Sequence, residues 1–358
     1  MAIPIWTWKN KTGVGAALAA AALFGVSTPL AKLLVRDINP WMLAGLLYLG
    51  SGIGLAIIRC WRLLQPGDHP PECLLRGSDW FWLLAAVVVG GLAAPVLLMF
   101  GLTSTPASTA SLLLNLEGVF TALLAWFLFQ EHCDRRIILG MAAITAGAAL
   151  LAWTGTWSIT NLWGPLAVAA ACLAWGLDNN LSRKVALCDP VQIAMIKGLA
   201  AGTANLAIGS WHYGVFPDIW FALPAGFLGF LGYGASLVLF IRALRHLGAA
   251  RTGAYFSVAP FVGGLVGIIL FREEVSTRFL AAAALMAWGV WLHLTERHEH
   301  DHEHEETYHE HAHAHGPHHQ HPHDEFCPAC EPHCHWHVHF PLTHFHLHFP
   351  DTHHRHRH

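Results

Sequence analysis

Near the end of the chain stands CPACEPHCHWH, residues 327 to 337. Cys327 and Cys330 lie two residues apart, Cys334 follows, and His333, His335 and His337 crowd around it. Thiolate and neutral imidazole are the ligands that hold zinc, nickel and copper, so the stretch reads as a metal clamp. Its Cys-x2-Cys half has the spacing of a tetrahedral thiolate site. The second half is too close for a standard finger, so metal binding is expected here and a zinc fold is not. The clamp belongs to a tail with 23 His between residues 298 and 358, many in alternation, as in HAHAH and HFHLH. Such a composition cannot build a core, and it predicts a mostly disordered segment over 295–358 that binds Zn or Ni. The plainer reading is a compositional expansion without a role.

A second set of reactive residues lies where charge is expensive. Glu117 falls ten residues into an apolar run, near the middle of a bilayer if that run spans one. A carboxylate there suits proton coupling; the structural alternative is a pair with Lys197 or a packing hydrogen bond. Asp178, Asn179 and Asn180 stand near the end of another run, and Lys197 lies eight residues into the next. Asp178 and Lys197 are expected to neutralise each other, or Lys197 to meet an anionic group of a solute. Thr28 and Pro29 occupy the corresponding place in the first run, where proline removes a backbone donor and loosens the helix. Loosened helices at matching places point to a transport site; ordinary interhelical bonding is the competing account for the two Asn.

The elements that must carry these residues are apolar runs. Of 358 residues, 54% are hydrophobic and 12% charged, about half the charge of a usual soluble protein, roughly 25%. Ten runs near 20 residues follow one another: 12–34, 41–59, 80–102, 107–129, 135–154, 161–181, 190–210, 220–244, 250–271 and 276–294. Each is long enough to cross a hydrocarbon core of about 30 Å. The first, preceded by Lys9 and Lys11, is too long for a signal peptide and reads as a retained helix. Thirteen Lys and Arg fall in the N-terminus, the even-numbered loops and the start of the tail, against four, Lys32, Arg36, Arg272 and Arg278, on the other side. That bias predicts both termini in the cytoplasm. Cysteines outside the tail are scattered, which excludes a disulfide scaffold. There is no phosphate-binding Gly motif and no catalytic triad spacing, so neither an ATP-driven pump nor an enzyme is expected. Nor is nucleic acid a partner.

The chain also repeats itself. LNLEGVFTALLAWFLFQE (114–131) aligns with FSVAPFVGGLVGIILFRE (256–273) without a gap, at an offset of 142 residues, so Glu117 falls on Ala259. More loosely, FGVSTPLAK (24–32) lies over WGLDNNLSR (175–183). The unit is five runs, an odd number, so the second copy enters the membrane from the opposite side. On GVSTPLAK, on FLFQE and IILFREE, and on the short TPAS and GAAR connections, the chain resembles the EamA-type members of the drug/metabolite transporter superfamily.

The resemblance covers about residues 12–294. It implies an all-α integral membrane fold of ten helices in two inverted five-helix repeats, 12–154 and 161–294, after a cytoplasmic N-terminus (1–11) and before the tail. It implies a secondary transporter that exports or exchanges a small organic metabolite in a bacterial inner membrane, without a required cofactor. The expected partners are that solute, the lipid bilayer and divalent metal ions at the tail; an oligomer is compatible with this. Two other readings stay open: a Ni, Zn or Co efflux carrier that collects metal through the tail, and a membrane-anchored metal buffer that transports nothing. A dedicated metal path would be expected to carry more than the one histidine, His293, found at the edge of a run.

Overall fold

The computed structural model describes residues 8–64, 75, 77, 79–129, 135–153, 159–182, 185, 189–214, 216–247 and 249–295, and in the tail 301–303, 307–313, 333–339 and 343–345. Up to residue 295 the described chain is helical. The first half comprises α1 (Trp8–Leu34), α2 (Pro40–Leu64), α3 (Asp79–Ala86), a π-helical stretch (Val87–Ala93), α4 (Ala94–Ser104), α5 (Ala107–Leu113), α6 (Leu116–Phe129) and α7 (Arg135–Ala152). The second comprises α8 (Ile159–Ser182), α9 (Pro190–Tyr213), α10 (Ile219–Gly229), a second π stretch (Phe230–Ala235), α11 (Ser236–Leu247), α12 (Ala249–Phe256), α13 (Ala259–Phe271) and α14 (Thr277–Leu294). Helix is the form apolar runs must take in lipid, because it satisfies backbone polar groups within each segment.

Among the described residues, eight helices are long and apolar enough to cross a membrane, and α13 is a shorter apolar helix. The ten expected runs therefore divide unevenly. The sixth is the 24-residue α8, and the ninth is broken into α12 and α13 by Ser257 and Val258. The fourth run is interrupted at the matching place, by Leu114 and Asn115 between α5 and α6, and in the ninth Pro260 occupies the first turn of α13, where its missing N–H costs nothing.

The halves interlock by reciprocal contacts. α2 packs on α9 and α7 on α14; α1 packs on α11 and α13, while α8 packs on α4 and α6. Between α2 and α9 the backbones nearly touch: a Cβ on Gly198 would come within 2.7 Å of the Gly52 nitrogen. Small residues allow such approach, which drives helix association where lipid competes for every apolar surface. At one end of this pair Arg59 on α2 meets Asp189 at 3.0 Å, and Asp189 also caps α9 by accepting from the Val191 N–H. The largest buried cluster, including Leu43, Leu47, Leu98, Met99, Leu112, Ile144, Val168 and Met286, spans both halves.

In the tail, four described segments are extended and paired. β1 (Asp301–Glu303) pairs antiparallel with β4 (Thr343–Phe345), and β2 (Thr307–His313) with β3 (His333–His339).

Candidate functional site

The polar centre begins with a proline. In the π stretch the Ala94 N–H reaches back five residues to the Val89 carbonyl. The next residue, Pro95, has no N–H to continue the ladder. The carbonyls of Gly90 and Gly91 thereby lose their helical donors, and buried carbonyls need replacements. Gly90 accepts from the Trp175 indole N–H at 3.0 Å and from the Tyr48 hydroxyl at 3.0 Å. Gly91 accepts from the Asn205 amide at 3.2 Å. A distortion in one helix is thus read by α2, α8 and α9 together. Glycine is required at 90 for a second reason: a Cβ there would overlap the Asp178 carboxylate.

Around this point the charged residues gather. Lys197 Nζ lies 2.6 Å from both Asp178 oxygens, and the Ser182 hydroxyl donates to Asp178 at 3.0 Å. Asp178 and Lys197 thus face each other across α8 and α9, leaving Lys197 committed to Asp178 and not to Glu117. Glu117 sits at the start of α6, where its Oε1 accepts from the Asn179 amide at 3.0 Å. That amide also lies 3.2 Å from the Thr121 hydroxyl. Glu117 remains within electrostatic range of both Asp178 and Lys197. Asn179 is exposed and Glu117 half-buried, so this pair faces accessible space.

The remaining residues singled out from sequence separate by role. Asn180 is 1% exposed and donates to the carbonyls of Thr121 and Gly176, tying α8 to α6. Thr28 and Pro29 are buried in α1, and no described hydrogen bond joins Thr28 to the Glu117 group. Their neighbour Phe24 instead belongs to an aromatic wall. Phe24 lies 5.8 Å from Tyr233 and 5.5 Å from Phe256, and Tyr233 lies 5.6 Å from Tyr48. All four rings are half-buried, and they come from both halves of the chain. Trp126 is 38% exposed and stacks on the still more exposed Phe127. Trp61 and Trp220, near helix ends, are exposed as expected of interfacial anchors.

Sequence reasoning missed Tyr48, Tyr233 and Asn205. The signal that would have found Tyr48 and Asn205 is the GGxxxP spacing of Gly90, Gly91 and Pro95, which announces two carbonyls in need of donors; Tyr233 carries no such signal.

The metal clamp fares differently. Cys327 and Cys330 lie outside the described residues, while His333, Cys334, His335 and His337 lie on β3. Among the described residues no group of three or more His, Cys, Asp or Glu is gathered to hold a metal. His293 is used structurally, its Nε2 3.1 Å from the Ile137 carbonyl between α14 and α7.

Among the described residues, eight apolar spans around a buried polar centre define an integral membrane protein of the transporter class. The EamA-like transporter family model matches the chain twice, over residues 11–153 and 162–295, and the chain belongs to that family. An uncharacterized transporter of Methanothermobacter thermautotrophicus is 28% identical over 290 residues, covering 77% of this chain and 84% of its own. The uncharacterized inner membrane transporter YedA of Escherichia coli K12 is 24% identical over 266 residues, covering 73% and 84%. A probable terminal-alkyne amino-acid exporter of Streptantibioticus cattleyicolor is 27% identical over 234 residues, covering 61% and 74%. One crystal structure shares the fold at a TM-score of 0.58 and 19% identity, covering 78% of this chain and 95% of that one.

Proposed function

We propose that this protein is a secondary transporter exporting or exchanging a small, amine-bearing organic metabolite by alternating access. The observation that carries the reading is Glu117: a half-buried carboxylate, held by Asn179 at 3.0 Å, in a body whose other central charges are already paired. A carboxylate near an aromatic wall is chemistry suited to an ammonium group, through charge and through the ring faces. The similarity to an amino-acid exporter favours the same class of solute.

The rest of the transport reading follows from the reciprocal contacts. Five-run units that exchange contacts pairwise are what two inverted repeats produce, with the solute held where they meet. The π stretches support this, since Val87–Ala93 and Phe230–Ala235 stand about one repeat offset apart. On the positive-inside bias the termini are cytoplasmic, and a bacterial inner membrane is the assigned site. The tail's histidines serve metal sensing or buffering beside the carrier. A metal path through the body is less favoured, because His293 is committed to a backbone carbonyl.

The test is a counterflow screen in proteoliposomes with amino acids, amines, carboxylates and divalent metals. An amine-bearing solute should exchange, and it should compete with close analogues. Exchange of Zn²⁺ or Ni²⁺ with no organic solute would replace this reading with the metal-efflux one.

A further inference from the structure

Runs four and nine are each broken once, and each break separates a half-helix from the candidate site. Past Leu114 and Asn115 stands Glu117 on α6; before Ser257 and Val258 stands Phe256 of the aromatic wall. The other halves, α5 and α13, pack on each other and on α1. Their contact is made of small residues. A Cβ on Gly263 would come within 2.8 Å of the Ser111 Oγ and 2.6 Å of the Gly25 carbonyl oxygen, and one on Gly267 within 2.7 Å of the Ser108 nitrogen. Small residues let backbones approach and present few ridges to interlock, so such a contact holds helices close without fixing them.

What fixes them is charge at the helix ends. Lys32, in the last turn of α1, donates to the carbonyl of Leu102, at 2.8 Å, and to that of Thr105, both at the close of α4. Glu273, just past the left-handed turn at Arg272 that ends α13, takes the other side of the α4–α5 connection. Its Oε1 accepts from the Ala107 N–H at 2.6 Å, and its Oε2 accepts from the Ser108 N–H at 3.0 Å and from the Ser108 hydroxyl. A cation on the last carbonyls of one helix and an anion on the first N–H groups of the next both suit the helix dipoles. Arg36 adds a contact from α1 to α13, its guanidinium 5.3 Å from the centre of the Phe271 ring. Lys32 and Glu273 are half-buried, so water can take the place of the backbone as their partner. We propose that Lys32 and Glu273 latch the α4–α5 connection from two sides, and that releasing them lets α1 and α13 part from α5 and opens this end of the bundle to solute. The inference rests on the alternating-access reading, which needs each end of the path to close in turn. By that reading's topology this is the non-cytoplasmic end.

The experiment reads exposure, so it needs no solute and stands apart from any transport assay. Ser111→Cys places a thiol where α5, α13 and α1 meet, at a residue 1% exposed. A membrane-impermeant maleimide is applied to right-side-out and to inside-out vesicles of the full-length protein. The labelling rate is taken above that of protein without the added thiol. Glu273→Gln, which removes the charge and keeps the volume, should raise the rate on the outer face about tenfold. That is a shift of about 1.4 kcal/mol in the balance of open and closed forms. Lys32→Met should raise it similarly, whereas Glu274→Gln, at the exposed neighbour, should leave it unchanged. Ser236→Cys, buried between α11 and α1, reports loss of the fold and should stay unlabelled in every variant. A tenfold rise confined to the cytoplasmic face would keep the latch and reverse the assigned topology. Three results overturn the proposal: an unchanged rate at 111 in either latch variant, an equal rise with Glu274→Gln, or an equal rise at 236, which would make the two charges supports of the whole fold.

Discussion

The Asp178–Lys197 pair gives the sharpest test of the polar centre. Lys197→Met leaves Asp178 with Ser182 as its remaining described partner; Asp178→Asn leaves Lys197 facing a neutral amide. At 2.6 Å, two unit charges attract by about 6 kcal/mol at an effective dielectric near 20. Much of that attraction is offset by the cost of drawing both ions out of water. Breaking a buried pair from one side forfeits the attraction while the desolvation cost remains. Such changes typically cost about 3–5 kcal/mol. The low end, about 3 kcal/mol, applies here because the side chains retain 17% and 9% exposure. The double variant removes both the attraction and the burial cost, so its loss should be only about 1 kcal/mol. The assay is unfolding of purified protein in detergent, for wild type, both singles and the double. Single losses that simply add in the double would refute the reasoning, since they would mean each charge is solvated independently of the other.

Four further changes follow from the same structure. Glu117→Gln should weaken both counterflow and gradient-driven uptake of the amine-bearing solute in proteoliposomes, because it removes the carboxylate that meets the ammonium group; unaltered counterflow would remove Glu117 from the solute site. Trp175→Phe leaves the Gly90 carbonyl to Tyr48 and should cost about 1 kcal/mol, whereas Trp175→Phe with Tyr48→Phe orphans it and should cost about 1–3 kcal/mol more, measured by the same unfolding. Arg272 closes α13 at φ 50°, a left-handed conformation that penalises a side chain, so Arg272→Gly should stabilise the fold by about 1 kcal/mol, read as a raised melting temperature. Deleting residues 298–358 should collapse Zn²⁺ binding in equilibrium dialysis while solute counterflow persists.

Length and hydropathy were enough to read the helical body, because a span must hide its backbone and its apolar side chains together. The same logic located Glu117, Asp178 and Lys197: charges inside apolar runs are rare enough to stand out one by one. The pairing of Asp178 with Lys197 was legible too, since each charge in such a run needs an opposite. What escaped notice was partnership with the backbone. Tyr48 and Asn205 look like ordinary helix residues until the carbonyls they serve are known, and those carbonyls are freed by a proline on a different helix. The broken ninth run escaped for a similar reason, since periodicity averages over a two-residue interruption. In the tail, composition argued against a core but could not see pairing. A two-stranded ribbon needs no core, only a register.

The repeat explains the frame of the site and not its chemistry. At the offset of 142 residues, Glu117 stands over Ala259 and Pro95 over Leu237. The second π stretch closes with the Ser236 N–H reaching the Leu231 carbonyl, as the first closes on Val89, but no proline follows it. Both halves therefore widen a helix at the same place, and in the first half a proline removes a further donor, so that side chains meet the Gly90 and Gly91 carbonyls. Two of those side chains, Trp175 and Asn205, come from the second half, and the third, Tyr48, from the first. The second half also supplies Asp178, Asn179 and Lys197. So the distorted helix and Glu117 belong to one repeat, and apart from Tyr48 the groups that bind to them belong to the other. Duplication can build two matching hinges, but a solute that is not itself symmetric needs different groups on its two sides. On the proposed transport reading, the loss of symmetry at 95 and 117 is where a repeated scaffold becomes a specific site.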